Sequence, residues 1–386
     1  MKDSNNIHLA STDTCSGCAA CVSVCPTGSI SMKEDREGFL QPHIDTKTCI
    51  GCHKCEKTCP ILNPTEIPND FETQAYAAIN KDEDVRMRSS SGGMFHALAK
   101  WTIEQGGVLF GARFNDQWEV VHDYTETIEG IEPFMRSKYV QSRIGNTFKQ
   151  AKQFIEAGRQ VLFVGTPCQI GGLKAYLKKE YDNLLAVDLI CHGAPSPGVW
   201  KKYLKETIKG DTLLDFNFRD KNDGWKEFQC VTTTTTTTRR EQQMANVYFR
   251  GFLKNIYLRE SCYKCAFKTI HRSADITLAD FWGVQDACPQ MDDNKGTSLV
   301  FCHTLKGQEI IRTLAPYFSI CVLPIDKAVA HNISMVDSVP KPSRRKNFFR
   351  AFQFTRSFRY AARLIDKDRL SKRIVRKIMR ILHLKK

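Results

Sequence analysis

From residue 71 to about 340, apolar positions alternate between short solid runs and helical spacing. Ala75-Tyr76-Ala77-Ala78-Ile79 reads as a strand. Met94, Phe95, Leu98 and Trp101 share one face and the pattern stops at Gly106-Gly107, which predicts a helix between. Val108-Leu109-Phe110-Gly111 is the next strand, and 119–125 completes a hairpin with it. A helix over 146–157 leads into the strand Val161-Leu162-Phe163-Val164. The turn 165–169 then opens a helix with Ile170, Leu173 and Leu177 on one side. A strand over 184–190 precedes Ser196, an N-cap, and Pro197, a first helical residue, which start a helix through Val199, Trp200, Tyr203 and Leu204. Strand–loop–helix repeated in this way predicts a parallel sheet with its sites at the carboxyl ends of the strands. Cys168 and Cys191 occupy two such ends.

The first sixty residues follow a different grammar. Cys15-x2-Cys18-x2-Cys21-x3-Cys25-Pro26 is repeated as Cys49-x2-Cys52-x2-Cys55-x3-Cys59-Pro60. Zinc usually takes two CxxC pairs separated by a longer spacer. Two complete runs, each followed by proline, instead resemble a two-cluster bacterial ferredoxin domain, in which the fourth cysteine of each run serves the other cluster. The resemblance assigns Cys15, Cys18, Cys21 and Cys59 to one [4Fe–4S] cluster and Cys25, Cys49, Cys52 and Cys55 to the second. The 23 residues between Cys25 and Cys49 predict a hairpin around 30–44, and 63–69 reads as a linker.

Composition changes this picture at the other end. Hydrophobic content of 42% and charged content of 25% over 386 residues suit a globular chain. The net charge of +14 belongs to one segment: 341–386 holds 17 Lys/Arg against 2 Asp/Glu, leaving 39 basic and 40 acidic residues elsewhere. The body therefore gives no reason to expect nucleic acid. At helical spacing Leu370, Ile374, Ile378, Ile381 and Leu382 face one way and Lys372, Arg373, Arg376 and Arg380 the other. Such a tail suits an anionic membrane surface; a helix docked on the body or on an acidic partner protein is the competing reading. No run approaches the roughly 18 apolar residues of a membrane span. Residues 1–14 lack the apolar centre of an export signal, so a cytoplasmic setting, peripheral to the inner face of the membrane, is expected. Seven threonines, Thr232–Thr238, read as a strand of a hairpin after a turn at 222–224, with an exposed loop as the alternative.

A third CxxC, Cys262-x2-Cys265, joins Cys168 and Cys191 to make four thiols, the number a cubane requires. Each alone would read as a small buried hydrophobe, and one CxxC could hold zinc or cycle as a dithiol. Spacing does not decide. Cys230, Cys288, Cys302 and Cys321 sit singly in apolar contexts and read as core.

The motifs of the body occur in a telling order: Ser-Ser-Gly-Gly at 90–93, Ser-Lys-Tyr-Val-Gln-Ser at 137–142, Gly-Thr-Pro-Cys-Gln at 165–169, Cys-His-Gly at 191–193, Phe-Arg-Asp-Lys at 218–221, the CxxC, Arg272, Asp275, Asp-Phe-Trp-Gly at 280–283, Asn332 and Arg345. Together they resemble the coenzyme F420 hydrogenase/dehydrogenase beta-subunit family with an N-terminal ferredoxin module, over nearly all of residues 1–350. The resemblance implies FAD beside an iron–sulfur cluster, a ferredoxin-like donor and a small two-electron acceptor. It makes Cys168, Cys191, Cys262 and Cys265 candidate ligands of a third [4Fe–4S] cluster. Ser90, Ser91, Gly92, Gly93, Lys138 and Tyr139 become candidate flavin-site residues.

A Ser-Ser-Gly-Gly turn at a helix N-terminus suits a cofactor phosphate, although plain N-capping would explain the same serines. Lys138 would place a cation where charge develops on reduced flavin, unless it is a surface lysine. His192, beside a candidate ligand, is a candidate proton shuttle or a structural histidine. Asp275 and Asp280 would orient Arg272 or a cofactor hydroxyl, or form an ion pair with it.

The expected architecture is α+β followed by α/β: a dicluster domain over 1–68, a flavin- and Fe–S-binding domain over 71–340 and a basic helical tail over 341–386. The expected activity is electron transfer from the donor through clusters and FAD to an F420-type acceptor or a precursor of a surface polysaccharide. An electron-transfer subunit that feeds a partner enzyme and has no substrate site is the alternative.

Overall fold

The computed structural model describes residues 7–64, 67 and 71–366. In the N-terminal segment β1 (Ile30–Glu34) and β2 (Leu40–Ile44) form the antiparallel hairpin the spacer predicts, beside short helices Ala20–Val24 and Lys54–Thr58. The body strands are β3 (Gln74–Asn80), β4 (Val108–Phe114), β5 (Val120–Thr125), β6 (Val161–Gly165), β7 (Leu184–Leu189), β8 (Leu213–Asp220), β9 (Gln229–Thr234), β10 (Thr238–Gln242), β11 (Ile276–Asp280), β12 (Ser298–Cys302) and β13 (Phe318–Leu323).

Eight of them form one sheet in the order β13-β3-β12-β11-β7-β6-β4-β5. Its centre, β4, β6, β7 and β11, is parallel, while every pairing outside it is antiparallel. The parallel pairing expected from the strand–helix rhythm and the hairpin expected at 119–125 are both present, within a sheet that is mixed as a whole. The rhythm covers only the central strands, and β3, which precedes it in sequence, inserts between the late strands β12 and β13. Central strands read as solid apolar runs because both faces are covered. Leu109, Leu162 and Leu185 pack under helices Met94–Glu104 and Leu305–Leu314. Their neighbours Phe110, Phe163 and Ala186 point the other way, against helices Thr147–Glu156 and Pro167–Leu177. Cys18, Ala19 and Ala20 join that second layer, so the dicluster segment is packed directly onto the body.

A third, aromatic core gathers Phe39, Trp200, Tyr203, Phe218, Tyr248 and Tyr257. Phe348, Phe349, Phe352 and Phe358, from helices Arg345–Thr355 and Phe358–Ala362, are buried in it. The expected tail is therefore corrected at its start: residues 341–366 dock on the body, and Phe348, Phe349, Phe352 and Phe358 form a core face while Phe354 stays exposed. The proposed amphipathic stretch Arg369–Lys386 lies outside the described residues. Ser196 does cap helix Pro197–Ile208, accepting from the Val199 amide. The threonine run is split, Thr232–Thr234 ending β9 and Thr238 opening β10, with the turn between them tied by Thr235 and Thr236 to Asp211.

Candidate functional site: a cysteine ladder and a buried cationic pocket

Both cysteine runs fold the same way. Gly17 and Ala19 have φ of 73° and 62°, and Gly51 and His53 repeat this at 64° and 55°. These left-handed residues curl each loop back on itself, and a five-residue helix then delivers the fourth cysteine, Cys25 or Cys59, in extended conformation ahead of its proline. The two helices pack together and exchange those last cysteines. Burial and the neighbouring thiols Cys18, Cys15 and Cys59 push the Cys21 thiol up; burial raises Cys18 to about 11, with Cys15 and Cys59 adding to it. Cys25, Cys49, Cys52 and Cys55 instead line one small cavity walled by Ile7, Ile30, Ile44 and Ile50.

In the body, Cys168 opens helix Pro167–Leu177, Cys191 follows β7, Cys262 lies within the 3-10 turn Glu260–Lys264, and Cys265 ends it. Three separate segments meet here. Burial raises the Cys168 thiol well above its ordinary range, and Cys265, Cys191 and Cys262 all act on it. Burial likewise takes Cys262 to about 12, with Cys191 and Cys265 contributing. The Ala194 amide donates to the Cys262 sulfur (3.3 Å), and the Thr166 hydroxyl lies 3.2 Å from that of Cys168. Among the described residues no group of three or more His, Cys, Asp or Glu converges tightly enough for a single metal ion. A cubane, which shares its four thiolates among different irons, needs a wider cage, and each of the three sets supplies four sulfurs.

The seam between segment and body is close. A Cβ at Gly172, one turn after Cys168, would meet the Cys18 Cβ at 2.8 Å and its sulfur at 2.9 Å. The Cys15 carbonyl accepts from Arg259 Nε (2.6 Å) and from Ser261 Oγ (3.0 Å), immediately before Cys262. Arg259 is 1% exposed and also donates to Leu40 O and Gln41 Oε1. Arg345 forks onto the Glu37 carboxylate and reaches Glu260.

The candidate flavin residues lie apart from these thiols. Neither Ser90 nor Ser91 caps a helix, which corrects the N-capping reading. Ser90 Oγ accepts from the Ser137 amide (2.9 Å), Ser91 Oγ donates to Thr297 O (2.7 Å), and Gly93, φ 90°, is the N-cap of helix Met94–Glu104 with no side-chain cap. Gly92 is needed for packing, since a Cβ there would meet Ala78 O at 2.2 Å and Ser298 N at 2.5 Å. Lys138 is not the surface lysine considered above. Its ammonium donates to Met135 O and Arg136 O, and burial, with Arg136 adding, lowers it to about 7. His192 Nε2 is bound to Asn255 Oδ1 (2.6 Å), and burial lowers the ring's pKa. The Phe252 ring lies 5.0 Å from His192 and 4.8 Å from Tyr139, which connects the thiol set to the pocket.

Sequence reasoning gave no role to the residues that dominate this pocket. Arg219, 4% exposed, donates through Nη1 to Asp280 (2.7 Å) and the Tyr139 hydroxyl (3.3 Å). Its Nε and Nη2 are buried without a hydrogen-bond partner among the described residues. Phe228, Trp282 and Trp225 surround the guanidinium at 3.9, 5.5 and 5.6 Å. Lys221 donates to Ser91 O and Lys295 O, and burial lowers it to about 7. Asp280 therefore pairs with Arg219, while Arg272 pairs with Asp188 (3.3 Å) and not with Asp275 or Asp280. The one visible signal was the Arg-x-Lys alternation at the end of β8, which puts both cations on one face.

Residues 158–327 match the family model for the C-terminal part of the coenzyme F420 hydrogenase/dehydrogenase beta subunit, and residues 14–62 match the 4Fe-4S dicluster domain. The chain thus joins a ferredoxin-like iron–sulfur domain to a mixed α/β domain whose residues 158–327 are similar to that beta subunit. A chain from the F420-reducing [NiFe] hydrogenase complex of Methanosarcina barkeri is similar at 16% identity over 80% of this chain and 94% of that one, with a TM-score of 0.45. No curated protein sequence matches. No helix among the described residues is long and apolar enough to cross a membrane.

Proposed function

We propose that the chain is an iron–sulfur flavoprotein oxidoreductase, taking electrons from a low-potential, ferredoxin-like donor and delivering them to a small two-electron acceptor of the F420 type. The observation that carries this reading is the seam, where Cys18 rests on the helix that begins with Cys168. Cys25, Cys49, Cys52 and Cys55 would hold an outer cluster, Cys15, Cys18, Cys21 and Cys59 an inner one, and Cys168, Cys191, Cys262 and Cys265 a third. When bound, the clusters supply single-electron transfer and FAD the junction to two-electron chemistry.

The chain's own residues provide the setting. Cys52 is exposed and Ile50 is 55% exposed, which leaves the outer thiol set accessible to a donor. Arg259 and Arg345 fix the dicluster segment on the body. Arg219, with two unpartnered nitrogens, and Lys138 and Lys221, which gain their charge as the pH falls through about 7, suit a phosphate-bearing cofactor. The Ser90 and Ser91 hydroxyls position the turn, and Gly92 and Gly93 pack it against Ala78 and Asn80; the flavin-site assignment therefore rests on the cations and on Tyr139. Lys138 keeps one N–H free for a ligand, and His192 is assigned as a positioning residue. The domain division that goes with this reading is 1–68 and a body from 71 that includes the helices of 341–366.

The test is anaerobic turnover. Purified chain reduced by a ferredoxin should be reoxidised by a deazaflavin acceptor without any other protein. Clusters without flavin, and turnover only with a co-purifying enzyme, would instead indicate an electron-transfer subunit with no substrate site.

A further inference from the structure

Two cysteines outside the ladder are not the isolated core residues the sequence suggested. Cys288 ends helix Val284–Ala287 and is 1% exposed; Cys321 lies on β13, the outermost strand of the sheet, and is partly exposed. The side-chain amide of Gln290 donates to the Cys288 sulfur at 3.0 Å and stands 4.0 Å from that of Cys321. Both belong to one apolar cluster, Cys288 within it beside Val284 and Met291 and Cys321 packed against it. Cys230 and Cys302, by contrast, are each 0% exposed and sit in separate cores.

We propose that Cys288 and Cys321 form a redox-active dithiol that a low-molecular-weight disulfide closes into an intramolecular bond. Thiolate attacks disulfide, so the reachable sulfur reacts first. Cys321 attacks the small disulfide, forming a mixed disulfide and releasing one small thiolate. Cys288, held behind it, then attacks the Cys321 sulfur and expels the second. The protein dithiol loses two electrons, the small disulfide gains them, and the two thiol protons end on the released thiolates.

The bond would join β13 to the segment 281–297. That segment carries Trp282 against Arg219, Asp293 against Arg86, the Lys295 carbonyl against Lys221 and the Thr297 carbonyl against Ser91. Closing the dithiol would pin one wall of the cationic pocket to the sheet edge. The dithiol itself needs no flavin or cluster assignment.

Anaerobic full-length protein is treated with oxidised glutathione at a concentration that leaves its iron content unchanged. It is then denatured with N-ethylmaleimide, reduced, and labelled with iodoacetamide. Trypsin isolates Cys288 in residues 273–295 and Cys321 in residues 313–327, each the only cysteine of its peptide. Both should carry the second label and appear before reduction as one cross-linked pair. Cys288→Ser should leave Cys321 glutathionylated, and Cys321→Ser should leave Cys288 with the first label. Wild-type protein in which Cys288 keeps the first label, or in which Cys321 stops at the glutathione adduct, would overturn the proposal.

Discussion

In the dicluster segment, four cysteines fall within eleven residues, and one turn-and-helix unit places them; the unit is used twice. The Arg219 pocket is assembled the opposite way. Ser90, Ser137, Arg219, Lys221, Trp225 and Trp282 come from opposite ends of the body, and the sheet and aromatic core hold them together. The first region relies on backbone conformation and soft ligands, the second on cations kept in a low-dielectric setting with part of their hydrogen-bonding capacity unused. Damage to the first should remove metal. Damage to the second should remove charge and leave the metal in place. The third thiol set lies between these cases, with four thiols brought together by tertiary structure.

The largest expected effect separates that third set from the first two. Cys168→Ser should abolish acceptor reduction and lower bound iron by about four per chain, leaving the roughly eight of the dicluster segment. Unchanged iron in this variant would remove the body's thiols from the account. Next in size, Arg219→Met should weaken FAD retention by about 10- to 100-fold, the loss of one charge-assisted hydrogen-bonding group, with iron content unaltered. Flavin titration of the iron-replete variant measures it, and a loss of iron would show that the pocket and the ladder are not separable.

The smallest effect concerns pH. Lys138 and Lys221 titrate near pH 7 in the folded chain against an ordinary value of 10.5. Flavin binding should therefore strengthen several-fold as pH falls from about 8.5 to 6, because both cations are charged below 7. Stability without flavin should move in the opposite sense. Between about 7 and 10.5 the folded form binds fewer protons than the unfolded one, so stability rises with pH across that window. Denaturant midpoints at three pH values, with and without FAD, would show the two slopes crossing.

The first region was legible because its ligands are neighbours in the chain. The ferredoxin resemblance put Cys59 with Cys15, Cys18 and Cys21, and in the structure those thiols are neighbours. The Ser196 cap and the central strands were legible for the same reason, being local patterns. The β4–β5 hairpin was legible too, whereas the antiparallel flank β13-β3-β12 was not, since β3 pairs with strands more than two hundred residues downstream. A helix docked on the body was one reading of the basic tail, but nothing in the sequence named Tyr257 and Phe39 as the partners that cover Phe348 and Phe349. Gly92 and Gly93 suggested an approach to a phosphate, whereas the close approach is to Ala78 and Asn80. Cys288 and Cys321 were unreadable as a pair because they meet only across the fold.

The proposed oxidoreductase needs three sets of thiols to serve three clusters in line with one flavin. Iron, acid-labile sulfide and flavin counted together on the anaerobically isolated chain test it most directly. The expected result is about twelve irons, about twelve sulfides and one flavin per chain. About eight irons with no flavin, or thiols filled with zinc, would contradict it.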